Sequence, residues 1–440
     1  MTHANSLFDT HIESWMNLPG LTLHRVTQVI PTPVVDDLAA AVRREIGSLR
    51  LPARLPPGAK VAVTAGSRGI TNIARILALA VGELKAEGFT PFLVPAMGSH
   101  GGATGEGQKE LLARIGITEE VVGAPIRSSM EVVEVGRDSH GVPVYADRTA
   151  WTEADGILVV NRAKPHTEFS GSIASGLLKM LVIGLGKHRG ALTAHKQTLS
   201  RAFMGTLPEM GRVILAGGHV VGGLAIVENY REETHSVHGV MPEDFEAADT
   251  RLTALSTSLL GRLPFEDLDV LVVDWAGKEI SGNGIDPNVI GRRMFIGEPE
   301  PTSPKIRRIF LRDLTPVTHG NALGIGLADF CTRRAAQQVD FYTTYTNAIT
   351  AMIPEKGRLP VVCEHDRQGV EWSILTGSPE LDPALVRLAW IKNTRDLETF
   401  YVSPALLPEI AGRGDLTIES QATQVTFNPT SGNVVPFWKD

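Results

Sequence analysis

The sequence predicts an α/β protein with two domains, each containing a mostly parallel sheet. Its 440 residues are about three times a typical domain length of ~150, so more than one domain is expected. Short apolar runs end in glycine-rich turns and are followed by segments with helical spacing of apolar residues, and this alternation recurs in the second half of the chain. Such alternation is typical of parallel sheets with helices on their faces.

The first half contains four predicted strands. "KVAVTA", from Lys60, predicts a strand, and "TNIARILALAVGELKAEG" predicts the helix that follows it. The pattern repeats in "TPFLVPAMGSHGG", which is followed by a predicted helix in "GEGQKELLARIGI". "ADGILVVNRAKPH" predicts a third strand and "GRVILAGGHV" a fourth.

A second alternating unit begins near "LPFEDLDVLVVDWAG", after a helix predicted over residues 247–263. Strands are predicted in "KIRRIFLRDL" and "RLPVVCE", a helix in "DPALVRLAWI", and an extended tail from Gly414. We therefore predict a first domain over residues 1–265 and a second over residues 266–404. Residues 405–440 are expected to fold back onto the first domain.

Composition narrows the classes of function. The net charge of −7 argues against nucleic acid or an anionic membrane as a partner, because either would favour a basic surface. The two isolated cysteines, Cys331 and Cys363, exclude a disulfide framework and a cysteine-based zinc or iron–sulfur motif. The first residues do not resemble a signal peptide, and no run reaches the ~18 apolar residues of a membrane span. A cytoplasmic location is expected.

Three turns after predicted strands carry functional side chains. They are Ser67–Arg68–Gly69, Ser99–His100–Gly101–Gly102 and Lys164–Pro165–His166–Thr167. Because the carboxyl ends of parallel strands meet at one edge of a sheet, these turns are expected to converge there, as a phosphate or carboxylate site requires. Any one of them could simply connect a strand to a helix. None matches a conventional dinucleotide or Walker pattern.

Lysine and histidine side chains follow the third turn. Lys179 lies in the apolar run "SGLLKMLVIGLGKH", surroundings that tend to lower the pKa of an ammonium group. Its stem could instead lie along the core while the amine reaches water. His166 precedes Lys179 and His195 follows it, so two histidines bracket this segment. Histidine is the usual general acid or base and a common metal ligand.

The order of these motifs resembles the nickel-pincer-dependent lactate racemase family of 2-hydroxyacid racemases and epimerases. The likeness covers most of the first 200 residues and is looser in the second domain. It rests on Gly66–Ser67–Arg68, Gly98–Ser99–His100, Pro165–His166, Ser175–Gly176, Lys179 and His195.

The resemblance implies a fold of two α/β domains with the active site in the cleft between them. It also implies a nickel pincer nucleotide, a pyridinium-3-thioamide-5-thiocarboxylic acid mononucleotide, attached to Lys179 as a thioamide. His195 matches the nickel ligand, His100 and His166 match the two acid/base residues, and Arg68 matches the residue that binds the substrate carboxylate. The small residues Ser67, Gly69, Ser99, Gly101 and Gly176 would contact the cofactor.

The chain departs from the family's pattern at several places, one of which is a longer segment between His166 and Lys179. Ala65 stands where the family commonly has an aspartate, three residues before the arginine. In the second domain the family's Tyr-Gln-x-x-Lys segment is replaced by "GKEISGNGIDPNVIGRR", in which Lys278, Asn288, Arg292 or Arg293 could substitute. Of these we favour Lys278 and Arg292 as substrate ligands. The departures point away from lactate, toward a larger or more polar small-molecule 2-hydroxyacid.

The residue types suit this chemistry without reference to the family. The α-hydrogen of a 2-hydroxyacid is very weakly acidic, so inversion is easier by oxidation to a keto acid and re-reduction, with one histidine on each face. Two alternatives stay open. One is a zinc-type hydrolase or lyase with His100, His166 and His195 as ligands, and the other is a non-catalytic protein that binds phosphate or nucleotide through the glycine turns.

Overall fold

The computed structural model describes residues 21–67, 69–169, 171–173 and 175–438. The chain forms two compact units: residues 31–260, which we call the central unit, and the residues before 31 and after 260, which we call the terminal unit. Both are mixed α/β units, which confirms the predicted fold class: the main sheet of the central unit is mostly parallel, and half of the strand pairs in the terminal sheet are parallel.

The central unit contains a five-stranded sheet in the order β3-β2-β6-β7-β8, in which only β8 is antiparallel to its neighbour, and a separate hairpin, β4-β5. The strands are β2 (Lys60–Ala65), β3 (Thr90–Pro95), β4 (Val132–Arg137), β5 (Pro143–Asp147), β6 (Gly156–Arg162), β7 (Val220–Glu228) and β8 (Thr234–Val240). The helices are α1 (Leu38–Ser48), α2 (Ile73–Ala86), α3 (Gly105–Arg114), α4 (Glu119–Val122), α5 (Arg148–Glu153), α6 (Leu177–Lys179), α7 (Lys187–Ala216) and α8 (Phe245–Ser258).

The terminal unit contains a nine-stranded sheet in the order β12-β11-β10-β9-β13-β14-β1-β15, with β16 also paired to β1. The strands are β1 (Thr22–Gln28), β9 (Asp267–Ala276), β10 (Lys305–Leu314), β11 (Phe330–Thr332), β12 (Val361–Cys363), β13 (Leu388–Ile391), β14 (Thr399–Val402), β15 (Leu416–Ile418) and β16 (Thr423–Gln424). The helices are α9 (Pro287–Ile290), α10 (Arg333–Gln337), α11 (Phe341–Thr350), α12 (Asp366–Gly377) and α13 (Leu407–Ile410).

Burial on both faces explains why the central strands are nearly continuous apolar runs. Val61 and Val63 of β2 lie in one core cluster with Ile76, Leu77 and Leu84 of α2, all of them buried. The helical spacing of these α2 residues places them on one face, and a parallel strand covered by helices has no polar face to present to water. The two predicted helices that follow the first and second strands are therefore confirmed.

Two predicted elements are wrong. Residues 211–216 of "GRVILAGGHV" end the long helix α7, and the strand, β7, begins only at Val220. "DPALVRLAWI" was expected to be helical, but its last four residues form β13, between β9 and β14. In both segments a short apolar run fits either structure, and pairing with neighbouring strands decides which one forms.

The division of the chain differs from the predicted boundaries. The units separate between residues 260 and 261, and strand β1 belongs to the terminal unit, although residues 1–265 were predicted to form one domain. The extended tail pairs with β1 through β15 and β16, so it completes the sheet of the terminal unit and not that of the first domain. Among the described residues, no helix is long and apolar enough to span a bilayer.

A buried charge network holds the tail to the terminal sheet. Arg312 of β10 donates to Asp274 at 2.7 Å and to Asp366 at 2.7 Å. Asp274 also accepts from the indole of Trp438 at 2.5 Å, and Asp366 accepts from the backbone N–H of Val434 at 2.9 Å. Burial alone would raise the pKa of Asp366, but Arg312 and a second arginine hold it below its usual value.

Replacement of Arg312 by Met is expected to destabilise the protein by about 3–5 kcal/mol, because it leaves two buried carboxylates without their main partner. Arg307→Met is the matched control, since Arg307 lies on the same strand and pairs with Asp269 of β9 at 2.9 Å, but its side chain is 60% exposed. The control should cost less than ~1 kcal/mol. Urea unfolding followed by tryptophan fluorescence measures both, and equal destabilisation by the two variants would contradict the assignment.

Candidate functional site

The order of strands in the central sheet defines where a ligand is expected. The chain runs from β2 to β3 on one side of β2 and later returns as β6 on its other side, so the order of connections reverses between β2 and β6. In open parallel sheets the ligand crevice lies outside the carboxyl ends of the strands at such a reversal. The turns at residues 66–69 and 163–167 follow those two ends, and the turn at residues 96–103 follows β3 beside them.

The first and second turns are joined by a hydrogen bond between side chains. The hydroxyl oxygen of Ser67 lies 2.5 Å from Nδ1 of His100. Ser67 is partly buried, and Ser99 and His100 are exposed. Arg68, the predicted carboxylate ligand, lies outside the described residues. The structure thus brings Ser67 and His100 together, as the predicted convergence of the turns requires.

The third turn places His166 against an aromatic stack. Nδ1 of His166 accepts the backbone N–H of Glu168 at 3.1 Å, and its ring centroid lies 4.6 Å from that of Phe169. Phe169 stacks on Phe203 of α7, with ring centroids 4.1 Å apart and an interplanar angle of 9°. The ring of His195, eight residues before Phe203 on α7, lies 6.3 Å from that of Phe169. His166 and His195 are therefore brought to the same aromatic side chain.

The segment that carries Lys179 is fixed at its start by a buried carboxylate. Asp249 of α8 accepts the backbone N–H groups of Leu177 and Leu178, each at 2.9 Å, and so caps α6. A Cβ atom on Gly176 would collide with this carboxylate, so this glycine has a packing role in addition to its predicted cofactor contact. Burial raises the pKa of Asp249 to about 6, and its two backbone hydrogen bonds oppose the rise. The side chain of Asn161, on β6, also donates to the carbonyl oxygen of Gly176 at 2.6 Å.

A π-helical turn, Met180–Gly184, begins directly after Lys179. The N–H of Leu185 donates to the carbonyl oxygen of Met180 at 2.8 Å, five residues back. Turns of this type are frequently found at functional sites. The N–H of Gly98 donates to the carbonyl oxygen of Gly184 at 3.2 Å, so the turn that contains His100 is bonded to this segment. Lys179 itself is partly buried.

The electrostatic environment of His195 favours the neutral imidazole. Burial and, to a smaller extent, the positive charge of Lys179 together lower its pKa to about 4. At neutral pH the side chain is therefore uncharged, which is the form of histidine that binds metals. The interaction also shows that Lys179 and His195 lie within electrostatic range of each other.

The remaining predicted residues have other surroundings. A Cβ atom on Gly101, whose φ is +65°, would collide with the backbone of Gly107, so the turn packs closely on α3. Gly69 is exposed. Lys278 follows the carboxyl end of β9 in the terminal unit and donates to the carbonyl oxygen of Gly282 at 2.5 Å. Arg292 instead lies at the amino ends of β10 and β11, where it donates to Asp329 at 2.9 Å and to two backbone carbonyls, including Leu327 at 2.8 Å.

Sequence reasoning missed the residues that support the predicted ones. Asp249 caps α6 from a distance of more than 70 residues in sequence, and no local pattern marks it. Phe169 lies three residues after His166, and an aromatic residue inside a polar turn was a signal that could have been used. His219 precedes β7 and packs on Trp151, with ring centroids 4.4 Å apart.

A possible metal-binding group lies elsewhere in the central unit. Asp138, His140 and Glu209 place ligand atoms within 4.8 Å of one another, and among the described residues no such group of three contains His100, His166 or His195. Arg201 donates to Asp138 at 2.7 Å, to Glu209 at 3.0 Å and to His140 at 2.6 Å, so a cation already occupies this position. The three-histidine zinc alternative has no geometric support.

Comparisons with known proteins give distant structural similarity. No protein-family model and no curated protein matches the chain. Among solved structures, the lactate racemase apoprotein from Thermoanaerobacterium thermosaccharolyticum is similar to this chain at a TM-score of 0.42 and 12% sequence identity. The similarity covers 65% of this chain and 69% of that chain. Both values are low, so a function must be argued from the residues of this chain.

The pKa of His195 is expected near 4 in the protein without added metal, and Lys179→Met should raise it, though not to 6.5, because burial remains. Lys196→Met is the matched control, since Lys196 is the exposed neighbour of His195 in sequence. NMR titration of the imidazole measures the pKa. Because the folded state binds fewer protons than the unfolded state between pH 6.5 and about 4, stability should fall as the pH is lowered through this range, and His195→Gln should lessen the fall. Equal changes in the pKa of His195 in the Lys179→Met and Lys196→Met variants would contradict the inferred influence of Lys179.

Proposed function

We propose that the protein is an isomerase that racemises or epimerises a 2-hydroxyacid, with a nickel pincer nucleotide held in the central unit. The proposal is supported chiefly by one observation: His166 and His195 both lie against the ring of Phe169, and the turn that contains His100 is bonded through Gly98 to the segment that follows Lys179. A site for binding phosphate alone would need the glycine turns but would give no role to these histidines or to Lys179.

Two residues of the central unit are suited to hold a nickel pincer nucleotide. Lys179 would be the point of attachment, and its segment is bonded to Asp249 at the start and to the backbone of Gly98 at the end, so an attached group would be held in a fixed position. His195 would bind the nickel, because its imidazole is neutral at physiological pH and within electrostatic range of Lys179. When bound, this nucleotide would supply reversible hydride acceptance from the C2 carbon of the substrate.

The proton transfers would be performed by His100 and His166. Each lies on a separate turn, one after β3 and the other after β6, so the two can face different sides of a substrate between them. One imidazole removes the hydroxyl proton as C2 is oxidised, which leaves a planar keto acid. The other imidazole donates a proton to the carbonyl oxygen as C2 is reduced from the opposite face, and the centre is inverted.

The substrate carboxylate would be bound by Arg68, and the assignment of Lys278 as a second ligand stays a prediction. Arg68 follows the carboxyl end of β2, and a guanidinium can bind a carboxylate through two hydrogen bonds. Lys278 follows the carboxyl end of β9 in the terminal unit. Arg292 was the other predicted ligand, but its guanidinium is already bonded to Asp329 and to backbone carbonyls, so we assign it a structural role.

Covalent attachment can be tested by intact-protein mass spectrometry. Protein produced together with the enzymes that build the cofactor should contain about one equivalent of nickel and should keep an added mass after denaturation. Lys179→Arg should abolish the added mass, because a guanidinium does not form the thioamide, whereas Lys196→Arg should keep it. An added mass retained by the Lys179→Arg variant would exclude this lysine as the attachment point.

The path of the C2 hydrogen tests the reaction. With single enantiomers of lactate, malate and phenyllactate deuterated at C2, the inverted product should retain deuterium in ordinary water, because a hydride does not exchange with solvent protons. His100→Asn and His166→Asn should each slow inversion by about 100-fold or more. His140→Asn, at an exposed histidine in the β4–β5 hairpin, should leave the rate unchanged. Inversion accompanied by loss of deuterium would indicate proton abstraction at C2 and would contradict the mechanism.

A further inference from the structure

Three fully buried polar side chains meet beneath the turn that contains His100. They are Asp147 at the end of β5, Lys187 at the start of α7 and Gln108 in α3. Groups of this kind cost several kcal/mol to bury unless their hydrogen bonds are satisfied. Their location therefore needs an explanation that the hydrophobic core does not provide.

Lys187 is the centre of the cluster. Its ammonium lies 3.1 Å from a carboxylate oxygen of Asp147, 3.2 Å from the amide oxygen of Gln108, and in hydrogen-bonding contact with the carbonyl oxygen of Pro95 at the end of β3. Burial lowers the pKa of Lys187 and raises that of Asp147, and their mutual attraction opposes both changes. The backbone of Lys187 has a φ of +54°, a conformation that costs energy in a residue with a side chain.

The contact with Lys187 determines which way the amide of Gln108 faces. An ammonium group has donors but no acceptor, so the oxygen of the amide must point toward it. The NH₂ group then points at the turn, where it donates to the carbonyl oxygens of Gly98 at 2.9 Å and of His100 at 3.3 Å. Gln108 is thus the direct link between the buried ion pair and the backbone of His100.

The same cluster joins the second turn to the helix that carries His195. Lys187 is the first residue of α7, eight residues before His195 in the same helix. Its bonds to Pro95 and Gln108 therefore tie the start of α7 to the segment from Pro95 to His100. Two of the proposed active-site histidines are held relative to each other by this connection.

We infer that Gln108 is a positioning residue for His100, oriented by the ion pair between Lys187 and Asp147. The amide fixes the backbone at Gly98 and His100, and the ion pair fixes the amide. The role of Gln108 in catalysis rests on the proposed function. Its role in holding the backbone of the turn does not.

Hydrogen–deuterium exchange of the protein without cofactor tests the positioning. In Gln108→Leu, the backbone amides of residues 98–104 should exchange about fivefold faster or more, because the turn loses two hydrogen bonds, while residues 60–65 and 163–169 remain unchanged. Gln28→Leu is the matched control, since the Gln28 amide is also buried and donates to a backbone carbonyl, that of Arg262 at 2.9 Å in the terminal unit. The Gln28→Leu variant should leave the exchange rates of residues 98–104 unchanged.

A second variant covers the case in which the leucine variant does not fold. Gln108→Glu keeps the shape of the side chain and an acceptor for Lys187 but removes the donor to the turn, so the same local acceleration is expected. Unchanged exchange at residues 98–104 would overturn the inference, as would an equal acceleration across the whole central unit.

The catalytic consequence is measured separately with the cofactor-loaded enzyme. Gln108→Leu should lower kcat about tenfold with little change in KM, and the added mass on Lys179 should remain, because only the position of His100 is affected. Faster exchange with an unchanged kcat would overturn the role in catalysis. Wild-type protein without isomerase activity would instead count against the proposed function, and the exchange experiment would still decide the positioning role.

Discussion

Parallel pairing of β2, β3 and β6 is the constraint on which the candidate site depends. Parallel strands align their carboxyl ends at one edge, so turns that are about 30 to 100 residues apart in sequence become neighbours. The reversal of strand order between β2 and β6 marks the place where a ligand crevice is expected in such sheets. Without this arrangement Ser67, His100 and His166 would be three unrelated loop residues.

Buried polar groups hold the segments at the carboxyl edge of the central sheet in position. Asp249 caps the segment that carries Lys179, and the buried cluster of Lys187, Asp147 and Gln108 supports the turn that carries His100. Each of these groups has a polar partner inside the fold, although each is costly to bury. The central unit therefore uses buried polarity to set the positions of exposed or partly exposed functional side chains, which would otherwise sit on mobile turns.

The terminal unit also contains buried polar groups, but there they hold a segment of the chain and not a candidate site. Its buried network of Arg312, Asp274 and Asp366 lies near the carboxyl ends of the strands but binds the chain's own tail through Trp438 and Val434. Charged residues at the carboxyl edge of a parallel sheet are thus not a sufficient sign of a ligand site. In the central unit the corresponding edge carries histidines and a lysine.

The sequence by itself determined the fold class and the turns that carry the candidate residues, because apolar periodicity and strand-end glycines are local properties of the chain. Tertiary structure alone decided three things: that β1 and the tail complete the terminal sheet, that "LAWI" is a strand, and that Arg292 is used within the fold. It also decided which residues support the site. Asp249, Gln108 and Lys187 act through contacts with backbone or side chains up to 92 residues away, and spacing in the sequence carries no record of such contacts.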